Sequence, residues 1–350
     1  MKSIIKVSGI LLLFFCVSTT ARSQEPIETI IEVQKLSDKV IVLRLGFLQT
    51  IAIASNEGII VIDTNRGKSA GAAIRNKIAE EFGREDFAYV INTHSHYDHT
   101  GGNKAFNDIT IIGHERCIDG LRNKEEKRDF GPNAKRYREI AEEFRTQLDT
   151  VPSDSIEKAR IISGTISYLL LTADDYGQGF ISVPPAVTFN ERMTLFFGDL
   201  TLKLRYFGNA HTNNDILIHI PEEKLLLMGD IYAASRIPNL NENEQLEVDL
   251  WIANLNDFLN PEYDIKYIIS GHTGDDMTIE DWRFRRDYIK TLWEGIATAC
   301  EEGLTLEEVQ DNFAFEKKFP EFTDIRYEYA GQNIHQKNVK TIWLQIMETK

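Results

Sequence analysis

Three of the chain's eight histidines fall within six residues, His94-Ser95-His96-Tyr97-Asp98-His99, with Asp98 among them. Imidazole nitrogens beside one carboxylate are the donor set that a borderline-soft divalent cation such as zinc prefers. His94 and His96 alternate as the chain leaves the apolar run 87–92, so a strand end would send both rings in related directions. Thr100-Gly101-Gly102 follows, and the glycines are expected to permit the tight turn that lets four side chains converge. A lone histidine is more often structural than a ligand. Four donors in six residues are poorly explained by chance.

The flanking pattern supplies elements to position them. Val40–Leu45, residues 50–54 and Gly58–Ile62 read as apolar strands, the last running into Asp63. Residues 69–82 repeat Ile74, Ile78 and Phe82 on one helical face, and 87–92 is a short buried strand. Strand, helix, strand and a polar loop at a strand's C-terminal end are an α/β signature. Residues 115–185 read as an insertion: Tyr137, Ile140, Ala141, Phe144 and Leu148 fall at helical spacing, and a second amphipathic run covers about 155–171. It is either extra packing on the scaffold or a lid over the site. After Met193 the segment LFFGDLTLKLRYFG reads as a hairpin. Asp215–Ile220 and 225–228 follow as strands, 281–300 is a long helix, and Thr305 with Glu308 forms a capping box.

THSHYDHTGG resembles the His-x-His-x-Asp-His motif of the metallo-β-lactamase superfamily, and later landmarks recur in order over about residues 41–294. Gly208-Asn209-Ala210-His211-Thr212 looks like the segment bearing the third histidine. Met228-Gly229-Asp230 looks like the strand end with the bridging aspartate, and Ser270-Gly271-His272-Thr273 like the final histidine loop. Ile60-Val61-Ile62-Asp63-Thr64 is similar to the family's early strand. The resemblance implies an α+β fold, the four-layer αββα sandwich, here with the helical insertion and its site at one edge between two sheets. It implies that one metal takes His94, His96 and His211, another takes Asp98, His99 and His272, and Asp230 bridges them. Two Zn²⁺ are expected as cofactors, with Fe or Mn as alternatives, and Asp98 as the catalytic carboxylate that orients a metal-bridging hydroxide. Asp63 is expected to accept a hydrogen bond from a ligand histidine. His114, His219 and His335 are expected to be packing or surface residues.

The superfamily hosts several chemistries, so the fold does not fix the substrate. Flavodiiron proteins place Glu where His96 stands, sulfur dioxygenases do not need His99 and His272 as ligands, and alkylsulfatases of this fold are longer chains with acidic ligands. The three-histidine β-lactamases normally lack an aspartate at the position of Asp230, whereas lactonases and glyoxalase II-like thioesterases carry one. Lactonases also carry a tyrosine shortly after it; Tyr232 stands nearby, although the offset is not a clear match. The expectation is therefore zinc-dependent hydrolysis of an ester, lactone or thioester. The alternatives are a β-lactamase and a non-catalytic metal-binding protein on the same fold.

Lys2 and Lys6, the apolar run 10–17 and Ala21-Arg22-Ser23 read as a secretory signal peptide over 1–23, cleaved after Ser23, so a periplasmic or secreted location is expected. The main fold is expected over 24–300, with a helical extension at 301–350. The whole chain carries a formal charge of −15. Residues 1–23 hold three cations and no acid, so without them the charge is about −18. Such a surface opposes nucleic-acid phosphates, leaving a small molecule as the expected partner, with no stable membrane span and no prediction of oligomeric state. Cys117 and Cys300 fit either a disulfide or two buried thiols.

Overall fold

Strand residues of this chain sort by parity. In β2 (Val40–Leu45), Val40 and Val42 face one apolar layer while Ile41, Leu43 and Leu45 face another. In β10 (Asp215–Ile220), Ile216, Ile218 and Ile220 share the first of those layers, while Leu217 faces a third. Side chains that alternate across a pleat produce this division, and strands apolar on both faces are covered on both. The computed structural model describes residues 30–348 apart from 126, 180, 182, 233–235, 239, 241–244, 273, 275, 323–324 and 330. The segment expected to be a signal peptide lies outside the described residues.

Seven strands form the first sheet in chain order: β1 (Glu32–Lys35), β2, β3 (Leu48–Ser55), β4 (Gly58–Ile62), β5 (Phe87–Ile91), β6 (Thr110–His114) and β7 (Val187–Phe189). The first four run antiparallel and the rest join in parallel. The second sheet runs in the order β12 (Tyr267–Ile269), β11 (Leu225–Leu227), β10, β9 (Leu200–Gly208) and β8 (Arg192–Phe197). The helices α1 (Lys68–Phe82), α4 (Gly131–Leu148) and α5 (Ile156–Gly177) cover the outer face of the first sheet; two short helices, α2 (Tyr97–Thr100) and α3 (Cys117–Asp119), lie between them in the chain. The outer face of the second sheet is covered by α6 (Val248–Phe258), α7 (Ile279–Glu301), α8 (Leu306–Asn312), the short α9 (Phe315–Lys318) and α10 (Ile334–Glu348). The layers are helix, sheet, sheet, helix: the expected αββα sandwich.

Helix ends follow local chemistry. Thr278 and Thr305 each accept a backbone N–H three residues on and are bonded back by Asp281 and Glu308, forming the capping boxes that open α7 and α8. The inserted segment packs as scaffold. Ala141, Ile162, Ile166, Tyr168 and Leu169 join the layer that holds Ile74 and Ile78 of α1. Cys117 and Cys300 are both buried and are not bonded to each other. His335 is buried, in contact with the Tyr288 hydroxyl and the Phe313 carbonyl, and His219 is buried between Phe258 and Tyr263, as expected of packing residues.

Candidate metal centre

The ends of four strands deliver the polar side chains to one edge of the sandwich. β5 leads into His94, β9 into His211, β11 into Asp230 and β12 into His272. Gln49 at the start of β3 ties the sheets together there. Its backbone N–H donates to Gly271 O at 2.8 Å, and its side-chain amide donates to Ser270 O, His272 O and Asp276 Oδ1.

All seven residues expected at the site come together. His94, His96 and His211 present ring nitrogens, and Asp98, His99 and His272 present a carboxylate oxygen and two nitrogens; within each trio the ligand atoms lie within 4.8 Å of one another. A third trio, His94, His99 and Asp230, overlaps both. Asp230 Oδ2 sits 2.9 Å from His272 Nε2, 3.3 Å from His99 Nε2 and 3.7 Å from His211 Nε2, so one carboxylate reaches both clusters.

Charge and burial suit a cation. His99 Nε2 and Asp230 Oδ1 are buried with no hydrogen-bond partner, a costly state unless something else meets them. Burial, then the neighbouring imidazoles, hold His94 and His96 below the usual histidine value, so both keep neutral rings with lone pairs available. Burial works against protonation of His99 too, but Asp230 and Asp63 on either side push it well above the usual value. The same carboxylates attract any cation. Burial alone would raise Asp98, yet the charges of His99 and Arg66 hold its carboxyl below the usual range.

Around this centre lie residues that fix it. Asp63 Oδ2 accepts from His99 Nδ1 at 2.9 Å, the role expected of it, and the same carboxylate accepts from the Thr93 N–H and hydroxyl. Asp63 and Asn65 sit at φ 57° and 70°, a left-handed conformation that non-glycine residues adopt only when neighbours impose it. The glycines of the motif act differently from the expectation. Gly101 has φ −61°, ordinary helical backbone, so no special freedom is used. A Cβ there would lie 2.3 Å from Arg66 O, and one on Gly102 only 1.9 Å from Thr64 O. Close approach of two backbones, not a tight turn, excludes side chains.

Arg66 is the residue that sequence reasoning passed over. Only 5% exposed, it donates to Asp98 Oδ2 at 3.1 Å. A loop Arg beside Gly67 carries no local signal, since its partner is 32 residues away. His114, by contrast, stacks on Tyr206 with centroids 4.4 Å apart and contacts the Asn190 carbonyl, as a packing residue should.

A cavity of about 410 Å³ opens over His96, Asp98, His211, Asp230 and His272. Its walls include Tyr97, Tyr232, Ile237, Pro238 and Ile334, and three arginines, Arg128, Arg236 and Arg326. Of the inserted segment, among the described residues, only Arg128 lines it, and the described residues of α4 and α5 do not border it.

The chain is 24% identical over 277 residues to the 2,4-dinitroanisole O-demethylase subunit alpha of Nocardioides sp. (strain JS1661), covering 78% of this chain and 66% of that protein. It is 21% identical over 299 residues to the linear primary-alkylsulfatase of Pseudomonas sp. (strain ATCC 19151), covering 81% of this chain and 53% of the relative. The chain thus spans less than two thirds of either relative. In fold it is similar to the stereoselective inverting sec-alkylsulfatase of Pseudomonas sp., with a TM-score of 0.62 and 15% identity, over 90% of this chain and 50% of the other. Residues 45–292 match the family described as the Metallo-beta-lactamase superfamily, and the chain belongs to it.

Proposed function

We propose that this chain is a metal-dependent hydrolase that binds two divalent ions, zinc by its donor set, and cleaves an ester, lactone or thioester bond. The observation that carries the reading is Asp230, whose one carboxylate oxygen approaches histidines of both trios. His94, His96 and His211 would hold one ion and Asp98, His99 and His272 the other. Ions held there supply Lewis acidity and lower the pKa of a water ligand.

The chain's own groups do the rest. Asp98 opens onto the cavity and can accept a hydrogen bond from the attacking water, setting its direction. Tyr232 forms part of the cavity wall, with its hydroxyl buried and its ring packed on Phe207 and Trp282. Asp230 adds negative charge to the centre, favouring a basic nucleophile over strong substrate polarisation. That balance suits a bond with a good leaving group, and it ranks a β-lactam amide second. Water is consumed, and an acid and an alcohol or thiol leave. Export to the periplasm or medium belongs to the same proposal and rests on residues 1–23 alone.

A sulfate ester is a further reading. Arg128, Arg236 and Arg326 face the cavity of an otherwise acidic chain, and two proteins that it resembles are described as alkylsulfatases. The test is a panel on the zinc-loaded chain: lactones, thioesters, aryl esters, β-lactams, alkyl sulfates and phosphodiesters. The proposal expects turnover of a carboxylic ester, lactone or thioester. Efficient cleavage of β-lactams or alkyl sulfates, with negligible cleavage of acyl esters, would contradict it. No turnover of any class, with metals bound, would favour a non-catalytic metal protein.

A further inference from the structure

We propose that Arg66 is the positioning residue for the Asp98–His99–His272 cluster and couples it to the inserted helices. The inference rests on the two-metal reading above.

Arg66 lies in the loop between β4 and α1, and that loop is fastened to the histidine motif along its length. Thr64 donates its N–H to His99 O at 2.8 Å, and the Gly102 N–H donates to Asn65 O at 3.0 Å. The absence of side chains at Gly101 and Gly102 lets the two backbones approach this closely. The loop backbone therefore delivers Arg66 beneath Asp98, and Nη2 donates to the Asp98 carboxylate at 3.1 Å. A buried guanidinium needs a fixed counter-charge, and Asp98 is the ion-pair partner that the described residues give it.

Three further contacts fix the guanidinium itself. Nη1 donates to the Tyr137 hydroxyl on α4 at 2.5 Å. The Phe47 ring lies 4.6 Å from its central carbon and the Tyr97 ring 5.3 Å. Phe47 also stacks on His272, with centroids 5.9 Å apart and planes 15° from parallel. One side chain thus contacts Asp98 directly and His272 through a shared aromatic ring. No comparable contact runs from Arg66 to His94, His96 or His211 among the described residues. Asymmetry between the two clusters is the distinctive consequence: disturbing Arg66 should loosen one ion and spare the other. It also gives the inserted helices a purpose that packing alone does not, since Tyr137 is theirs.

The test is a cobalt titration of the metal-free full chain, following both the visible absorption bands and the affinity of each equivalent. Wild type should take two equivalents. In Arg66→Met the first should bind as in wild type, while the second weakens about tenfold or more and its bands shift, the size of effect that groups behind metal ligands commonly have. Arg66→Lys, which keeps the charge but loses the fork, should recover part of the loss. Tyr137→Phe leaves Arg66 and Asp98 in place and should weaken the same equivalent by less. An unchanged second equivalent in Arg66→Met, or equal weakening of both, would overturn the proposal. If Arg66→Met does not fold, an unaltered second equivalent in both Arg66→Lys and Tyr137→Phe would overturn it. Fewer than two equivalents in wild type would instead overturn the two-metal reading, and this proposal with it.

Discussion

Gly271 shows how little spare volume the centre has. A Cβ at this position would lie 2.5 Å from His99 Cε1 and 2.6 Å from Asp230 Oδ1, distances that real Cβ atoms do not keep. Neither neighbour is a flexible chain end: His99 is tied to Asp63, and Asp230 is buried between histidines. Gly271→Ala should therefore displace two of the expected ligands, cutting zinc affinity about tenfold or more while the fold persists. Circular dichroism with a chelator competition would check both halves of that statement. At this scale much was readable in advance. The compact motif at 94–99 and the ordered landmarks at 211, 230 and 272 pointed to all seven residues that the structure brings together. What could not be read were partners set by distant backbone: Arg66 under Asp98, and the reason for Gly101 and Gly102, which depends on where the Thr64–Arg66 backbone runs.

At the scale of elements, alternation and helical spacing carried the reading. The β8–β9 hairpin, β10, β11, α1, α4, α5 and the Thr305–Glu308 capping box lie where the pattern puts them, whereas the Thr278–Asp281 box that opens α7 went unread. Three residues are too few to show a period: β11 was read only as an apolar run next to another strand, and β12 went unread although it delivers His272. The inserted segment needed the structure, because an amphipathic helix shows the same face whether it packs on a sheet or closes over a site. Its helices join the outer layer, and Arg128 alone of its described residues reaches the cavity. Arg128→Ala should accordingly raise KM for an anionic substrate with little change in kcat, by about 1.5–3 kcal/mol if it makes a charged hydrogen bond. A larger fall in kcat than rise in KM would place Arg128 in the chemistry rather than in binding. Steady-state kinetics on the substrate found by the panel would separate these.

For the whole molecule, pH should act on stability through buried histidines away from the centre. Burial first, and then the charge of Lys203, lower His219 to about 4 from an ordinary 6.5, and both ring nitrogens lack hydrogen-bond partners. The unfolded chain takes up this proton near pH 6.5, whereas the folded chain resists until about 4. His219 therefore costs no stability above that window, and its cost grows as pH falls through it. His219→Phe should shrink the drop in Tm between pH 7 and pH 5, measured by calorimetry on the metal-free chain. An unchanged drop would mean that other groups control it.

The claim on which the rest depends is that one aspartate joins two ion sites within this sandwich. Native mass spectrometry of the zinc-reconstituted chain, with His211→Ala and His272→Ala beside it, tests that claim most directly. The account predicts two zinc ions in wild type and one in each variant, because His211 and His272 belong to different trios that meet at Asp230. A single ion in wild type, or loss of both ions from either variant, would contradict it.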